Sequence, residues 1–419
     1  MPDDNRSRPK KKILLALQGG GSHTAYVWGV VDRLLQNDEI EIAAVSGTSG
    51  GAMIAAILAY GLGLTHGRDG APLDDAGRRI ETRKLLDQFW TNVAAIGDFT
   101  GNPYRFVANP LYPCWNIDGS PVPIMLNALS LVTSPYQRLF GVRQNPVALA
   151  LSDCIDFEAL RNSSAGPGLY ICATNVRTSQ PKTFMRHEVD VDHLLASACL
   201  PVADLSMKIG DEYYWDGGYV ADPALLPLIK HHKHETCDLV VVGVNPIVMD
   251  KDALPPMTAW EIIDRMNEIT FNSSLISEIK RIHEINELLR ELRPYFASGH
   301  DCQTLHDKKE VLIHYIPPHA AMAGYGVASK NNTALPFLKH LKALGGEVAA
   351  AWENGRIDGG GASLLGVSSD TNLKRLFIDP HSAEAPPLPD QVQGARTVPG
   401  APPSQQQAVV QPQRGQTQE

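Results

Sequence analysis

The apolar residues of the chain form short continuous runs that alternate with stretches of helical spacing. Residues 13–18 and 40–46 are short apolar runs, which are typical of buried parallel strands. Residues 24–36 carry apolar side chains at helical spacing, and a predicted helix of small residues, GGAMIAAILAYGL, follows the second run. Strand, helix, strand and helix in this order predict a mainly parallel sheet that is covered by helices.

Later segments extend the predicted sheet and its helical cover. Further buried strands are predicted at residues 168–176, 237–246 and 311–317. Residues 258–293 predict a long amphipathic helix that ends before Pro294, and an interruption near Asn272 is left open. Another helix is predicted at residues 335–355. The predicted fold class is α/β, with a mainly parallel central sheet flanked by helices.

Three segments interrupt or flank this pattern. Residues 66–140 are rich in proline, glycine and aromatic residues, and they predict an irregular insertion that could cap the site. The basic arm, residues 1–11, is expected to be disordered. The Pro/Gln-rich tail, residues 381–419, has too few apolar residues to fold and is also expected to be disordered. We therefore expect one domain over residues 12–380.

Composition and charge restrict the class of protein. Hydrophobic residues make up 43% and charged residues 20% of the 419 residues, as in ordinary globular proteins. The net charge of −9 argues against a nucleic-acid partner. The six cysteines include no C-x-x-C pair, so no metal centre is expected, and scattered reduced thiols suit a cytoplasmic location. No signal peptide or membrane span is predicted, while peripheral membrane contact and signal-independent export are left open.

A serine stands at the junction of the second predicted strand and the helix that follows it. Residues 47–51 read GTSGG and match the pattern G-x-S-x-G, in which the serine occupies a sharp strand-to-helix turn with its hydroxyl exposed. Gly47 and Gly51 remove side chains that would collide in such a turn. We therefore predict that Ser49 is a nucleophile, and the alternative is a structural glycine turn.

A serine nucleophile needs a base that takes its proton. Residues 213–225 read YYWDGGYVADPAL, and in this stretch Asp216 precedes two glycines, Gly217 and Gly218, where other segments can approach closely. Asp216 is therefore the predicted base, and the alternative is an Asp-Gly hairpin turn. A histidine base, as in other α/β-hydrolases, is less favoured. The histidines considered are His23, His231, His232 and His234.

Three glycines follow the first predicted strand in the sequence LALQGGGSHTAYVWGV, residues 15–30. The N–H groups of such a loop can face either a phosphate or the oxyanion of a tetrahedral intermediate. The loop lacks the lysine of a P-loop, and Thr24 stands where a dinucleotide-binding fingerprint needs glycine. The oxyanion interpretation is therefore favoured, with Gly20, Gly21 and Gly50 as the expected donors.

Together these three motifs resemble the patatin-like phospholipase family in its bacterial form. That family combines a glycine-rich oxyanion loop, a G-x-S-x-G turn and a distant Asp-Gly-Gly, and it uses a Ser–Asp dyad without histidine. The resemblance implies that Gly19 to Gly21 form the oxyanion loop, that Ser49 is the nucleophile and that Asp216 is the catalytic acid/base. SACLPV, residues 197–202, also resembles the segment that precedes Asp-Gly-Gly in the family.

The glycine loop departs from the family pattern at two positions. The family loop usually reads G-G-G-x-[RK]-G, whereas this chain has GGGSHT, with His23 and Thr24 at the last two positions. A β-branched residue such as Thr24 would strain a backbone of positive φ. The departure therefore raises the question of whether the loop keeps its active shape.

The resemblance implies a lipid acyl hydrolase of the phospholipase A type, which cleaves the carboxylic esters of membrane lipids through an acyl-enzyme. It implies no metal and no organic cofactor. The expected partner is a lipid at a membrane or micelle surface, while a homodimer and a protein activator are left open. Two alternatives remain: a histidine-dependent esterase of the α/β-hydrolase type, and a catalytically inactive patatin-like scaffold that acts through partners.

Overall fold

The computed structural model describes residues 10–99, 115, 146–201, 205–231, 237–249, 254–297, 310–357 and 377–378. The strands of these residues are β1 (Lys11–Leu17), β2 (Ile40–Thr48), β3 (Gly168–Asn175), β4 (Pro181–Met185), β5 (Met207–Ile209), β6 (Glu212–Asp216), β7 (Cys237–Val242) and β8 (Val311–Ile316). The helices are α1 (Ala25–Leu34), α2 (Gly50–Gly61), α3 (Asp75–Phe99), α4 (Pro146–Cys154), α5 (Phe157–Asn162), α6 (Val191–Ser197), α7 (Leu225–His231), α8 (Ala259–Ala297) and α9 (Leu335–Ile357).

The strands form one sheet in which hydrogen-bonded neighbours follow the path β5-β6-β3-β2-β1-β7-β8, and β4 also pairs with β3. The pairs from β3 through β2, β1 and β7 to β8 are all parallel. The pairs that involve β4, β5 and β6 are antiparallel. The prediction of a mainly parallel central sheet flanked by helices is thereby confirmed.

Both faces of the sheet are covered, because a parallel sheet needs apolar cover on each side. Side chains of β1 alternate between the two faces. Ile13, Leu15 and Leu17 pack into the larger apolar cluster, together with α1, α2 and α9. Leu14 and Ala16 pack into the second cluster, together with α7 and α8. The result is a three-layer arrangement whose strand ends carry the candidate site.

The predicted irregular insertion is wrong for residues 75–99, which form α3. The helix is mostly polar, so its periodicity is weak in the sequence, but one ridge buries Leu85, Leu86, Phe89 and Trp90 in the core. Packing of this ridge against the core stabilises the helix, although most of its residues are polar and its apolar periodicity is weak. Apart from residue 115, residues 100–140 lie outside the described residues.

The predicted end of the long helix before Pro294 is also wrong, because α8 continues to Ala297. Proline removes one N–H from the helix ladder, but here only three residues follow it, so little of the helix is affected. No break occurs at Asn272, since its side chain finds hydrogen-bond partners outside α8. The tail, residues 381–419, lies outside the described residues.

The first strand begins at Lys11, two residues earlier than predicted. Lys11 belongs to the arm for which we expected disorder, yet its N–H donates to Glu39 and its ammonium group pairs with buried Asp238. These contacts extend the sheet into the basic segment. Residues 1–9 lie outside the described part of the chain. None of the helices in the described residues is both long enough and apolar enough to cross a membrane.

The close crossing of α1 and α9 depends on glycine. A Cβ added to Gly29 would overlap the carbonyl oxygen of Lys342, and one added to Gly345 would overlap the carbonyl oxygen of Tyr26. The two helix backbones therefore touch, and neither position has room for a side chain. This contact holds α9 against α1 on the face of the sheet that carries the larger apolar cluster.

We predict that Gly29→Ala lowers the free energy of unfolding by about 1–3 kcal/mol or more, because the added methyl group forces α1 and α9 apart. Urea denaturation measures the change. Gly324→Ala is the matched control, since a Cβ at Gly324 would meet no atom within 4 Å. Equal effects of the two substitutions would contradict a tight helix crossing.

Candidate active site

Ser49 lies between the end of β2 and the start of α2, as the sequence predicts. Its backbone has φ 55° and ψ −126°, a conformation that non-glycine residues rarely adopt. This turn lifts the serine out of the strand direction and puts it at the N-terminus of α2. The positive end of the helix dipole favours negative charge at that place. Ser49 is 9% exposed, so its hydroxyl group lies in a sheltered environment.

Glycines on both sides make this turn sterically feasible. A Cβ at Gly47 would overlap the carbonyl oxygen of Gly51, and one at Gly51 would overlap that of Leu17. A Cβ at Gly50 would overlap the hydroxyl of Thr24 in the glycine loop. The strand, the helix and the glycine loop therefore meet at this point with no room for a side chain on Gly47, Gly50 or Gly51.

Ser197, at the end of α6, holds the turn in place. Its hydroxyl accepts the N–H of Ser49 at 3.0 Å and donates to the carbonyl oxygen of Cys172 on β3 at 2.6 Å. Ser197 is completely buried. The sequence analysis noticed SACLPV only as a resemblance and gave Ser197 no role, since nothing in its local spacing links it to residue 49.

Asp216 ends β6 and is brought next to the end of β2 by the edges of β3. Cys172 pairs with Thr48 of β2, and the next residue of β3, Ala173, pairs with Asp216. Both Cys172 and Ala173 also pair with β4, which occupies one edge of β3, and a strand has only two edges. β6 therefore shares the other edge with β2, and the last residues of the two strands are neighbours on that edge. Thr48 and Asp216 occupy consecutive positions, about 3.3 Å apart along the strand.

The surroundings of Asp216 fix its orientation. It is 1% exposed, and its Oδ1 accepts the N–H of Gly218 at 2.7 Å. Its backbone N–H donates to Cys199, and its carbonyl oxygen accepts the hydroxyl of Thr174. Because β6 leads into a 3₁₀ turn at Gly217–Tyr219, the alternative of a hairpin turn at Asp216 is wrong.

The two glycines after Asp216 allow other segments to come close. A Cβ at Gly217 would overlap the carbonyl oxygen of Cys172, and one at Gly218 would overlap the ring of Phe271 on α8. The turn therefore lies directly against β3 on one side and α8 on the other. This agrees with the close approach that Gly217 and Gly218 suggest in the sequence.

The glycine loop lies against the serine turn. A Cβ at Gly19 would lie 2.8 Å from the Cβ of Ser49, and one at Gly50 would lie 3.0 Å from the carbonyl oxygen of Gly21. Gly21 has φ 56°, which favours glycine at that position. The loop is therefore in direct contact with both Ser49 and Gly50.

Gly19 differs from the other glycines of the loop, because its N–H donates to Oδ1 of Asp222 at 2.7 Å. The N–H of Gly19 is thus engaged with Asp222, so Gly19 belongs to the predicted oxyanion loop without offering a free donor. The backbone hydrogen bonds of the described residues include none from the N–H of Gly20 or Gly21. Gly50 is the first residue of α2, so its own helix provides no acceptor for its N–H.

A network of buried amide side chains supports the start of the loop. Gln18 is completely buried, and its Oε1 accepts the N–H groups of Val244 and Asn245 at 2.7 and 3.0 Å. Its Nε2 donates to Oδ1 of Asn272 on α8 at 2.9 Å, and Asn272 in turn donates to the carbonyl oxygen of Pro246. Gln18 thereby joins the ends of β1 and β7 to α8.

Lys330 adds a positive charge to this network. Its Nζ donates to Oδ1 of Asn245 at 2.9 Å and to Oδ1 of Asn267 at 2.6 Å. Burial lowers the pKa of Lys330, and the nearby carboxylates of Asp222, Glu268, Asp264 and Asp216 oppose that shift. The sequence analysis missed Gln18, Asp222, Asn245 and Lys330, because they are far apart in the chain and form no motif. Asn272, a polar residue within an apolar helical pattern, was the one available signal.

The two departures from the family loop are accommodated without backbone strain. Thr24 has φ −69°, an ordinary helical value, and its hydroxyl donates to the carbonyl oxygen of Gly21 at 2.6 Å. The strain expected at Thr24 is therefore absent. His23 is buried, its Nε2 lies 2.7 Å from Oγ of Ser329, and its ring packs edge-on against Tyr325 and Phe337. Burial and the charge of nearby Lys330 lower the pKa of His23, so it is neutral at physiological pH.

The buried histidines of the described residues are engaged away from Ser49. His23 contacts Ser329, His314 pairs with Asp238 near the opposite end of β7, and His319 accepts the N–H of Ala321. His232, His234 and the side chain of His231 lie outside the described residues. Within that described part, no group of three or more metal-ligating side chains comes together.

Comparison with known families agrees with this arrangement. The model of the patatin-like phospholipase family matches residues 15–229, a little over half of the chain, and this range includes the glycine loop, Ser49 and Asp216. The chain therefore belongs to the patatin-like phospholipase family. Members of this family are lipid acyl hydrolases. No curated protein sequence matches the chain.

Solved structures of low sequence identity were also found. VipD from Legionella pneumophila is 13% identical, with a TM-score of 0.28 over 80% of this chain and 68% of VipD. The type III effector protein ExoU is 15% identical, with a TM-score of 0.27 over 82% of this chain and 53% of ExoU. A chain in the complex of full-length SpcU with full-length ExoU from the type III secretion system of Pseudomonas aeruginosa is 16% identical. Its TM-score is 0.22 over 64% of this chain and 51% of that chain. This chain thus spans about half the length of ExoU, and the family assignment depends on residues 15–229 alone.

We predict that Ser49→Gly is more stable than Ser49→Ala by about 1 kcal/mol, because glycine adopts the positive φ of this turn without steric strain. Both variants lose the hydroxyl group, so they differ only in the Cβ. Urea denaturation of the two proteins side by side measures the difference. A Ser49→Ala protein as stable as Ser49→Gly would contradict the strained turn.

Proposed function

We propose that the protein is a lipid acyl hydrolase of the phospholipase A type, in which Ser49 is the nucleophile and Asp216 is its base. The observation that carries this proposal is that β2 and β6 end at neighbouring positions on one edge of β3. Membership of the patatin-like phospholipase family supports a lipid ester as the substrate.

The reaction begins when the carboxylate of Asp216 takes the proton of the Ser49 hydroxyl, while the serine oxygen attacks the carbonyl carbon of the ester. The carbonyl oxygen gains a negative charge, and the N–H groups of Gly20, Gly21 and Gly50 donate to it. The tetrahedral intermediate then collapses to an acyl-enzyme, and the alcohol leaves with the proton from Asp216. A water molecule gives a proton to Asp216, attacks the acyl carbon and releases the fatty acid. That proton returns to Ser49.

We predict that a fluorophosphonate forms one covalent adduct with the wild-type protein and none with Ser49→Ala. In Asp216→Asn, labelling should slow by about 10²–10⁴-fold, because the base that takes the serine proton is lost. Intact-mass spectrometry measures the adduct, and release of fatty acid from phosphatidylcholine measures turnover. Asp211→Asn, at the exposed turn before β6, is the matched control and should label like the wild type.

Three outcomes would contradict the proposal. An adduct that persists in Ser49→Ala would move the nucleophile to another residue. Normal labelling of Asp216→Asn, with loss on substitution of a histidine, would favour the histidine-dependent esterase. A folded wild-type protein that forms no adduct and releases no fatty acid would favour the inactive scaffold.

The first part of α8 offers a surface for the lipid. Ile262, Met266 and Ile269 lie three or four residues apart on one side of the helix and are 43%, 62% and 54% exposed. Two residues further and on another side of the helix, Phe271 contacts the ring of Tyr219, the last residue of the 3₁₀ turn after Asp216. The exposed apolar side chains therefore lie on a helix that borders the candidate site. The opposite side of α8 packs into the second apolar cluster.

The charges on this part of α8 favour a zwitterionic lipid surface over an anionic one. Glu261, Asp264 and Glu268 surround a single cation, Arg265, and Arg265 is already paired with Glu268 at 2.7 Å. An excess of carboxylates repels an anionic membrane, whereas apolar side chains enter a zwitterionic interface without that penalty.

We predict that the double substitution Met266→Glu and Ile269→Glu weakens binding to phosphatidylcholine vesicles at least tenfold, because two charges replace apolar side chains that enter the interface. Hydrolysis of a soluble short-chain ester should stay unchanged. Ile80→Glu on α3, where the wild-type residue is 50% exposed, is the matched control and should bind vesicles normally. Equal binding by all three proteins would exclude this face of α8 as the lipid surface.

A further inference from the structure

Asp222 is a completely buried carboxyl group in direct contact with the glycine loop. Its Oδ1 accepts the N–H of Gly19 at 2.7 Å, and its own backbone N–H donates to the hydroxyl of Ser274 on α8 at 3.2 Å. The side chain therefore connects the first residue of the loop to a segment that is itself fixed on the long helix. Neither the family motifs nor the local sequence give this aspartate a role.

The glycine held by Asp222 is the one that touches the nucleophile. A Cβ at Gly19 would lie 2.8 Å from the Cβ of Ser49 and 3.2 Å from Oδ1 of Asp222. Asp222 and Ser49 therefore both lie directly against Gly19. Because each peptide plane is rigid, a hydrogen bond to the N–H of Gly19 holds the plane from which the chain continues to Gly20 and Gly21.

We propose that Asp222 is a positioning residue of the active site, which holds the N–H of Gly19 and thereby aims the N–H groups of Gly20 and Gly21 at the oxyanion. This inference rests on the proposed serine hydrolase function. Asp222 takes no part in proton transfer, since its role is to accept one hydrogen bond from the loop. It thus explains why the N–H of Gly19 faces away from the reacting atoms.

Asp222 performs this role as a neutral carboxylic acid. Burial raises its pKa to about 8, with a smaller increase from the nearby carboxylate of Asp216, while the N–H of Gly19, the charge of Lys330 and the side chain of Gln18 lower it. The side chains that act on it come from three segments: Asp216 from β6, Lys330 from the 3₁₀ turn Val327–Asn331 and Gln18 from the end of β1. Below this pKa the carbonyl oxygen of the neutral acid accepts the N–H without adding a charge.

The charge state matters because an oxyanion forms on the same loop. Above pH 8, ionised Asp222 places a negative charge one peptide unit from the donors, and that charge repels the negative transition state. Activity should therefore fall as the pH rises through about 8. Asparagine has the shape of the neutral acid and keeps the accepting oxygen, but it does not ionise.

The experiment compares the wild type with Asp222→Asn and Asp222→Ala, using a soluble short-chain ester between pH 6 and 9.5. Asp222→Ala should lower kcat about 10–100-fold with little change in KM, because transition-state donors are misaimed while substrate binding remains. Asp222→Asn should restore most of kcat at pH 7 and abolish the alkaline decrease. Circular dichroism checks that both variants are folded.

Amide hydrogen exchange of residues 15–25 provides a measurement that does not depend on catalysis. Exchange of the Gly19 amide should be at least tenfold faster in Asp222→Ala than in the wild type, and slow again in Asp222→Asn. If the wild type proves inactive while this exchange pattern holds, the proposed function fails and the loop anchor stands.

Other results would overturn the inference. Equal exchange in all three proteins would show that Asp222 does not hold the loop. If Asp222→Asn were as inactive as Asp222→Ala, activity would need an ionisable group at this position, as expected for a base. An alkaline decrease that persists in Asp222→Asn would assign that titration to another group.

Discussion

The edge of β3 that β2 and β6 share is the constraint on which the candidate site depends. β2 stops pairing at Thr48, and β6, which runs in the opposite direction, stops at Asp216 on the next residue of β3. Each strand has to leave the sheet there, because the other occupies the remaining hydrogen-bonding positions. Two segments that are far apart in the chain, one leading into Ser49 and the other ending at Asp216, thus come together at one point. The hydrogen bonds of the sheet hold them there before any side-chain contact is considered.

The segments at this point lie so close together that no volume is left for side chains, and this explains why glycines flank Ser49 and follow Asp216. Gly47, Gly50 and Gly51 each face a backbone atom or a hydroxyl group where a Cβ would stand. The same is true of Gly217 after Asp216. Ser49, which lies between these glycines, is not a glycine and yet has a positive φ, so its backbone is strained. Its strain is opposed by the hydrogen bonds of Ser197, which tie the turn to β3.

The buried polar groups around the glycine loop also hold the site in place, through hydrogen bonds to the loop and to the segments beside it. Gln18 accepts the N–H groups of Val244 and Asn245, and Asn272 donates to the carbonyl oxygen of Pro246, so backbone groups after β7 that would otherwise be left unpaired are satisfied. Lys330 lies among several carboxyl groups and provides the positive charge that they require. A loop held in this way has little freedom to reorganise, which is what stabilisation of a transition-state charge demands.

The sequence alone was enough to predict the parallel part of the sheet, the helices α1, α2, α8 and α9, and the candidate residues of the site. The apolar runs that became β1, β2, β3, β7 and β8 are continuous because these strands are buried on both faces. The glycines around Ser49 and Asp216 are local requirements of tight turns, so a motif of a few residues contains them. Helix α3 was not predictable in this way, because its buried ridge is narrow and the polar residues outnumber it.

Contacts between distant segments determine which N–H groups of the loop are left without a partner in the protein and which side chains hold the loop. Gly19 has the same local sequence character as Gly20, yet its N–H is taken by Asp222, about two hundred residues further along the chain. The same applies to Ser197 and Lys330, whose partners lie on other elements of the fold. A hydrogen bond between distant residues depends on distance and direction in space, and neither leaves a periodic pattern in the chain.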